Sequence, residues 1–104
     1  MELRRIPWTD PQTPGEPLLR RHLESQGYEV TPWRDPADRL YDPHTHPEDE
    51  SLWVVRGQIV LQADGCEYPL GPGDRLELPR GTLHTARAGP DGAFYLIARR
   101  RADD

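Results

Sequence analysis

Three imidazoles and one carboxylate stand out in this chain by type and spacing. His44, His46 and Glu50 lie close together, and His84 ends the stretch that begins at Gly73. Side chains alternate along an extended backbone, so His44 and His46 are expected to point the same way. Imidazole with carboxylate suits one divalent ion of iron, manganese, nickel, zinc or copper, and the ligand set does not choose among them. Four such ligands in a six-coordinate shell leave positions open for water, dioxygen or a bidentate substrate. A structural zinc site is instead closed and tetrahedral, usually with cysteines. The chemistry implied is that of a Lewis acid or a redox centre. Glu48 and Asp49 lie between the ligands and are candidate acceptors for an imidazole N–H. His22 is far from the others in sequence and is read as a surface residue.

The elements that must position these groups are short. Residues 1–17 hold Pro7, Pro11, Pro14 and Pro17, so an extended arm without regular structure is expected, anchored by Trp8. A short helix is predicted over 18–26, opened by Pro17, ended by Gly27, and buried through Leu19 and Leu23. Strands follow over 28–33, 39–42, 51–56, 58–63, 66–70, 75–78, 83–87 and 93–99, separated by turn-forming residues. Pro32 marks an edge or an end, and Asp64-Gly65 is a strong hairpin signal. About 28–99 therefore reads as an all-β barrel or sandwich, with a charged, frayed tail at 100–104. Parity from Glu50 puts Leu52 and Val54 inside, with Trp53 and Val55 outside. Parity from His84 puts Thr82 and Ala86 inside. On the last strand Phe94, Leu96 and Ala98 share one face and Tyr95 and Ile97 the other, and alternation alone leaves open which lines a pocket. Tyr41, Arg39 and Arg75 are candidates to orient an anionic substrate, and Cys66 is read as a bystander.

At these residues the chain resembles the cupin family. The first cupin motif reads Gly, five residues, His-x-His, three or four residues, Glu, six residues, Gly; here His44, His46, Glu50 and Gly57 fall at those spacings. The second reads Gly, five residues, Pro-x-Gly, two residues, His, three residues, Asn, and is matched by Gly73, Pro79, Gly81 and His84. Asp38 stands at the first motif's Gly and Ala88 at the second's Asn. Neither position is a ligand in the family, so the departures fall on turns. The resemblance covers roughly residues 40–98. It implies a cupin double-stranded β-helix, or jelly-roll barrel, with His44, His46, Glu50 and His84 as the metal ligands.

Composition narrows the function. The 104 residues make one domain, and a net charge of -5 argues against nucleic acid as a partner. No apolar run reaches membrane-span length and no signal peptide opens the chain, so a cytoplasmic location is expected. The single cysteine excludes an intramolecular disulfide. All 13 basic residues are arginine, asparagine is missing, and there are 12 prolines. That composition fits a heat-adapted source and equally a GC-rich genome. An outward Trp53 beside Val55 needs cover, from the arm and helix or from a second copy, and a two-fold homodimer is expected. Two functional classes remain. One is a metalloenzyme of dioxygenase, isomerase or decarboxylase type acting on a small polar molecule. The other is a non-catalytic module that binds or senses a small molecule. The short acidic chain has no room for a helix-turn-helix, which favours the enzyme, or a sensor that acts through a partner protein.

Overall fold

The computed structural model describes residues 1–100. In chain order the elements are β1 (Arg4–Ile6), α1 (Glu16–Ser25), β2 (Glu29–Asp35), β3 (Leu40–His44), β4 (Asp49–Ala63), β5 (Cys66–Leu70), β6 (Arg75–Leu78) and β7 (His84–Arg100). All strand pairs are antiparallel, in the order β1-β6-β4-β7-β2, with β3 also on β7 and β5 also on β4.

Strands β4 and β7 are long enough to serve two halves of the fold. The first part of β4 pairs with β6 and its second part with β5. Likewise β7 pairs first with β3 and later with β2. Between the halves, the β4–β7 register shifts at Val54/Arg56 and again at Gly57/Ile59. Such bulges bend a strand and increase its twist, turning one sheet into two facing layers. The core lies between the layers: Leu52, Leu76 and Leu78 come from one half, and Ile59, Leu61 and Leu70 from the other. This is the expected jelly-roll arrangement. Among the described residues β1, β2, β3 and β5 each pair with one strand only, so the ring of strands is not closed.

The eight predicted strands become six because two presumed breaks are bends inside continuous strands, and a strand in the arm brings the number to seven among the described residues. Gly57 has φ +75, and a Cβ there would lie 2.2 Å from the carbonyl oxygen of Gly92. Only glycine lets the two strands approach so closely with that backbone. The arm also holds one strand. Arg4–Ile6 precedes the first proline, keeps its N–H groups, and adds to the edge of β6. The predicted hairpin is present, with positive φ at Asp64 (52) and Gly65 (73), as a type I′ turn requires. Helix α1 starts two residues earlier than expected, with Pro17 inside its first turn. Strand β2 runs through the expected loop as far as Asp35. Arg100, assigned to the tail, ends β7, and the other four tail positions lie outside the described residues.

Trp53 and Val55 do face away from the core, as parity required, but the chain covers them itself. Leu19 and Leu23 of α1 pack with Tyr28, Val55, Phe94, Leu96 and Ala98 in a second cluster, flanked by Trp8 and Trp53. Each fully buried leucine of α1 is worth about 1.5–3 kcal/mol relative to exposure. Trp8 is tied down by its backbone N–H, which donates to Asp74 Oδ1 at 2.9 Å. The expected homodimer drew its reason from an uncovered face, and this cover removes that reason. Among the described residues no helix is long and apolar enough to cross a membrane.

Candidate metal centre

His44 closes β3 and His84 opens β7, and the two are partners across the strand pair. Their rings lie 4.3 Å apart. His46 sits in the turn after β3, with its ring 4.8 Å from His44 and 5.2 Å from His84. Two bonds hold this turn against the loop before β7. The Gly81 N–H donates to the His46 carbonyl at 2.9 Å, and the Arg80 N–H to Asp49 Oδ1 at 2.9 Å. Asp49 thus fixes the loop rather than an imidazole, and no bond of Glu48 to a histidine is formed among the described residues.

One ligand atom from each of His44, His46 and His84 lies within 4.8 Å of the others. Donors that share an ion through bonds of about 2.1 Å are about 3 to 4 Å apart, so small side-chain rotations suffice. The hydrogen bonds prepare the rings for this task. His44 Nδ1 meets the Asp42 carbonyl at 2.6 Å, and His84 Nδ1 meets the Thr82 carbonyl at 2.8 Å. A carbonyl only accepts, so the proton belongs on Nδ1 and the Nε2 lone pair is left for a metal. Burial pushes His46 below the ordinary imidazole range, against the upward pull of the Glu50 carboxylate. Burial also lowers His84, opposed by its bond to the Thr82 carbonyl. Both shifts favour the neutral, ligating form. The donor set fits a divalent ion.

Glu50 stands beside the three histidines rather than among them. Its carboxylate is buried, with Oε2 3.6 Å from His46 Nε2. The same oxygen accepts from Arg99 Nε at 2.7 Å. Arg99 is the site residue that sequence reasoning missed. Its signal was present in the alternation: Tyr95, Ile97 and Arg99 line the cavity, whereas Phe94, Leu96 and Ala98 face α1.

The cavity next to the histidines has a volume of about 220 Å³. Leu52, Ile59, Leu61, Ala86 and Ile97 make most of its wall apolar. Thr82, expected inside, precedes β7 and contributes its carbonyl instead. A polar cluster closes one side. Buried Asp35 accepts from the Tyr95 hydroxyl at 2.7 Å, the Trp33 indole at 3.0 Å, and the Tyr41 hydroxyl. Burial, reinforced by Asp35, raises both tyrosines above the ordinary phenol value. Tyr41 therefore lines the cavity, as an anion-orienting residue would, but its hydroxyl is committed to Asp35. Arg39 lies over the Tyr41 ring. Arg75 is buried elsewhere, bonded to Ser51 and Gln26 and stacked on Trp53. His22 packs edge-on to Trp53 at 5.5 Å, away from the centre, as its surface reading required.

Residues 35–98 match the Cupin domain family. The chain belongs to that family. Two curated relatives are similar over about half of this cupin. Quercetin 2,3-dioxygenase of Bacillus subtilis (strain 168) is 35% identical over 51 residues, 49% of this chain and 15% of that protein. Acireductone dioxygenase of Gluconacetobacter diazotrophicus is 41% identical over 56 residues, 50% of this chain and 31% of that protein. The chain thus spans less than a third of either relative. Among solved structures, KdgF from Halomonas sp. superposes with a TM-score of 0.62 at 28% identity, covering 74% of this chain and 72% of that one.

In this cupin the two motif departures have local physical explanations. Asp38 takes φ +61 in place of the motif glycine. Aspartate is among the few residues that enter the left-handed region readily, so the turn is kept. Ala88 is buried, and its N–H donates to the Arg39 carbonyl at 2.9 Å, holding the segment before β3 on β7. Neither change touches the histidine cluster.

Proposed function

We propose that this cupin holds one divalent ion of iron, manganese, nickel, zinc or copper on His44, His46, His84 and Glu50. In this reading it is a metalloenzyme of dioxygenase, isomerase or decarboxylase type acting on a small polar molecule. The observation that carries the proposal is the set of three clustered histidines at a cavity wall, two with Nδ1 bonded to backbone carbonyls. Local similarity to two dioxygenases supports the same reading. The ion would supply Lewis acidity, and in the redox-active cases electron transfer. The protein's own residues would do the rest. The carbonyls of Asp42 and Thr82 hold the imidazoles of His44 and His84 in one tautomer, Glu50 would add a carboxylate ligand and its negative charge, and the apolar wall limits water. A cytoplasmic location belongs to the same proposal. So does a homodimer, which would have to use a surface other than the face beneath α1.

One observation favours the non-catalytic alternative. The tyrosine hydroxyls of the cavity are committed to Asp35 and the Glu50 carboxylate to Arg99, so among the described residues no idle acid or base stands in the cavity beside the histidines. Metal content and access decide between the readings. Protein purified without chelator should carry about one metal per chain, sharply reduced by His46→Ala or Glu50→Ala. Anaerobic protein loaded with Fe(II) should give an iron–nitrosyl signal by electron paramagnetic resonance when nitric oxide is added. His84→Ala should abolish it. Fully loaded protein without that signal would have a closed metal, and the binding-module reading would replace the enzyme.

A further inference from the structure

Among the described residues the cavity wall presents one permanent cation. Among the residues that line it, Arg99 alone is a lysine or arginine. Its side chain is 45% exposed, and its Nε is fixed at 2.7 Å by Glu50, whose own side chain is 3% exposed. That bond uses one face of the guanidinium. Among the described residues, the two terminal nitrogens donate to no protein acceptor. A planar fork whose base is clamped and whose tip is free suits a carboxylate, which accepts two parallel N–H bonds. The other polar groups of the wall offer little. Tyr41, Tyr95 and Trp33 all donate to Asp35. Apart from the three histidines and Glu50, the remaining surface is aliphatic, from Leu52, Ile59, Leu61, Ala86 and Ile97.

Charge points the same way. Glu50 and Arg99 carry opposite charges, so a divalent ion held by the three histidines and Glu50 would leave the site net positive and attract an anion. The cavity of about 220 Å³ equals about seven waters at 30 Å³ each, enough for a short organic acid. We infer that Arg99 is the anion-recognition residue of this cavity. The ligand is then a small organic acid whose carboxylate meets the free edge of the guanidinium and whose short apolar body fills the aliphatic wall. This deepens the proposed metal reading and rests on it for the ion's attraction, but not for the guanidinium contact.

The test compares isovalerate with its uncharged isostere isovaleramide by isothermal titration calorimetry at pH 7.5, on zinc-loaded and zinc-free protein. A charge-assisted pair is worth a factor of about ten or more in affinity. Isovalerate should bind at least about tenfold more tightly than isovaleramide in both forms. Arg99→Gln should weaken isovalerate by about the same factor and leave isovaleramide unchanged, and Arg99→Lys should restore part of the loss. Equal affinity for acid and amide in zinc-free wild type would overturn the inference, as would the failure of isovalerate to bind. So would isovalerate affinity unchanged in folded, zinc-bearing Arg99→Gln. Should Arg99→Gln not fold, the zinc-free wild type decides, because without the ion the guanidinium is the one permanent cation among the described residues of the wall. Zinc content, measured in the same samples, keeps the two readings apart. Protein that takes up no zinc, iron, manganese, nickel or copper but still prefers the acid would sink the metal reading and leave the inference standing.

Discussion

Asp35 is the residue whose removal should most disturb the cavity without touching a ligand. Its buried carboxylate accepts from Tyr95, Tyr41 and Trp33, which together form one side of the cavity. Hydrogen bonds to a charged group are worth about 1.5–3 kcal/mol, and the full loss falls on donors that water cannot reach. Tyr95 is only 4% exposed, so Asp35→Ala strands its hydroxyl at a cost of about 2 kcal/mol. Trp33 is 43% exposed and Tyr41 borders the cavity, so water replaces most of their loss, leaving about 0.5 kcal/mol each. Removing the carboxylate also removes its desolvation penalty, which offsets about 1 kcal/mol. The net expectation is about 2 kcal/mol, or a fall in Tm of about 8–16 °C for a domain of this size. Urea unfolding of metal-free protein, with the slope checked for constancy, measures it. Asp35→Asn keeps one acceptor and should lose about half as much. An Asp35→Ala protein as stable as wild type would mean that these donors have other partners in solution, and the description of the cavity wall would be wrong.

Two further expectations concern the bend and the histidines. Gly57→Ala should destabilise strongly, by at least about 2 kcal/mol, because a left-handed residue would gain a Cβ 2.2 Å from the Gly92 carbonyl oxygen; thermal unfolding within 3 °C of wild type would contradict it. Burial depresses His46 and His84 from their ordinary value of 6.5, so protons bind the unfolded chain first. The stability of metal-free protein should therefore be steady above pH 6.5 and fall as the pH drops through that value toward the lowered folded values. A stability maximum below pH 6 in denaturant titrations would reverse that sign.

What could be read without coordinates was whatever depends on local spacing. The alternation of His44 with His46, the hairpin at Asp64-Gly65, the outward parity of Trp53 and Val55, and the end of α1 before Gly27 depend on periods of two or 3.6 and on turn chemistry. The motif spacings were enough to bring His84 beside His44 and His46. Long-range pairing decided the remainder. Whether Gly57 breaks a strand or bends one depends on Gly92 lying against it. Which face of β7 meets the cavity depends on where α1 packs, and neither choice leaves a mark on β7 itself. For the same reason Arg99 could not be separated from the other arginines, since its meaning comes from a carboxylate 49 residues away in sequence. The network on Asp35 likewise joins β2, β3 and β7. Period and turn residues determine how each strand presents its two faces, but only the packing of those faces decides which one becomes the site.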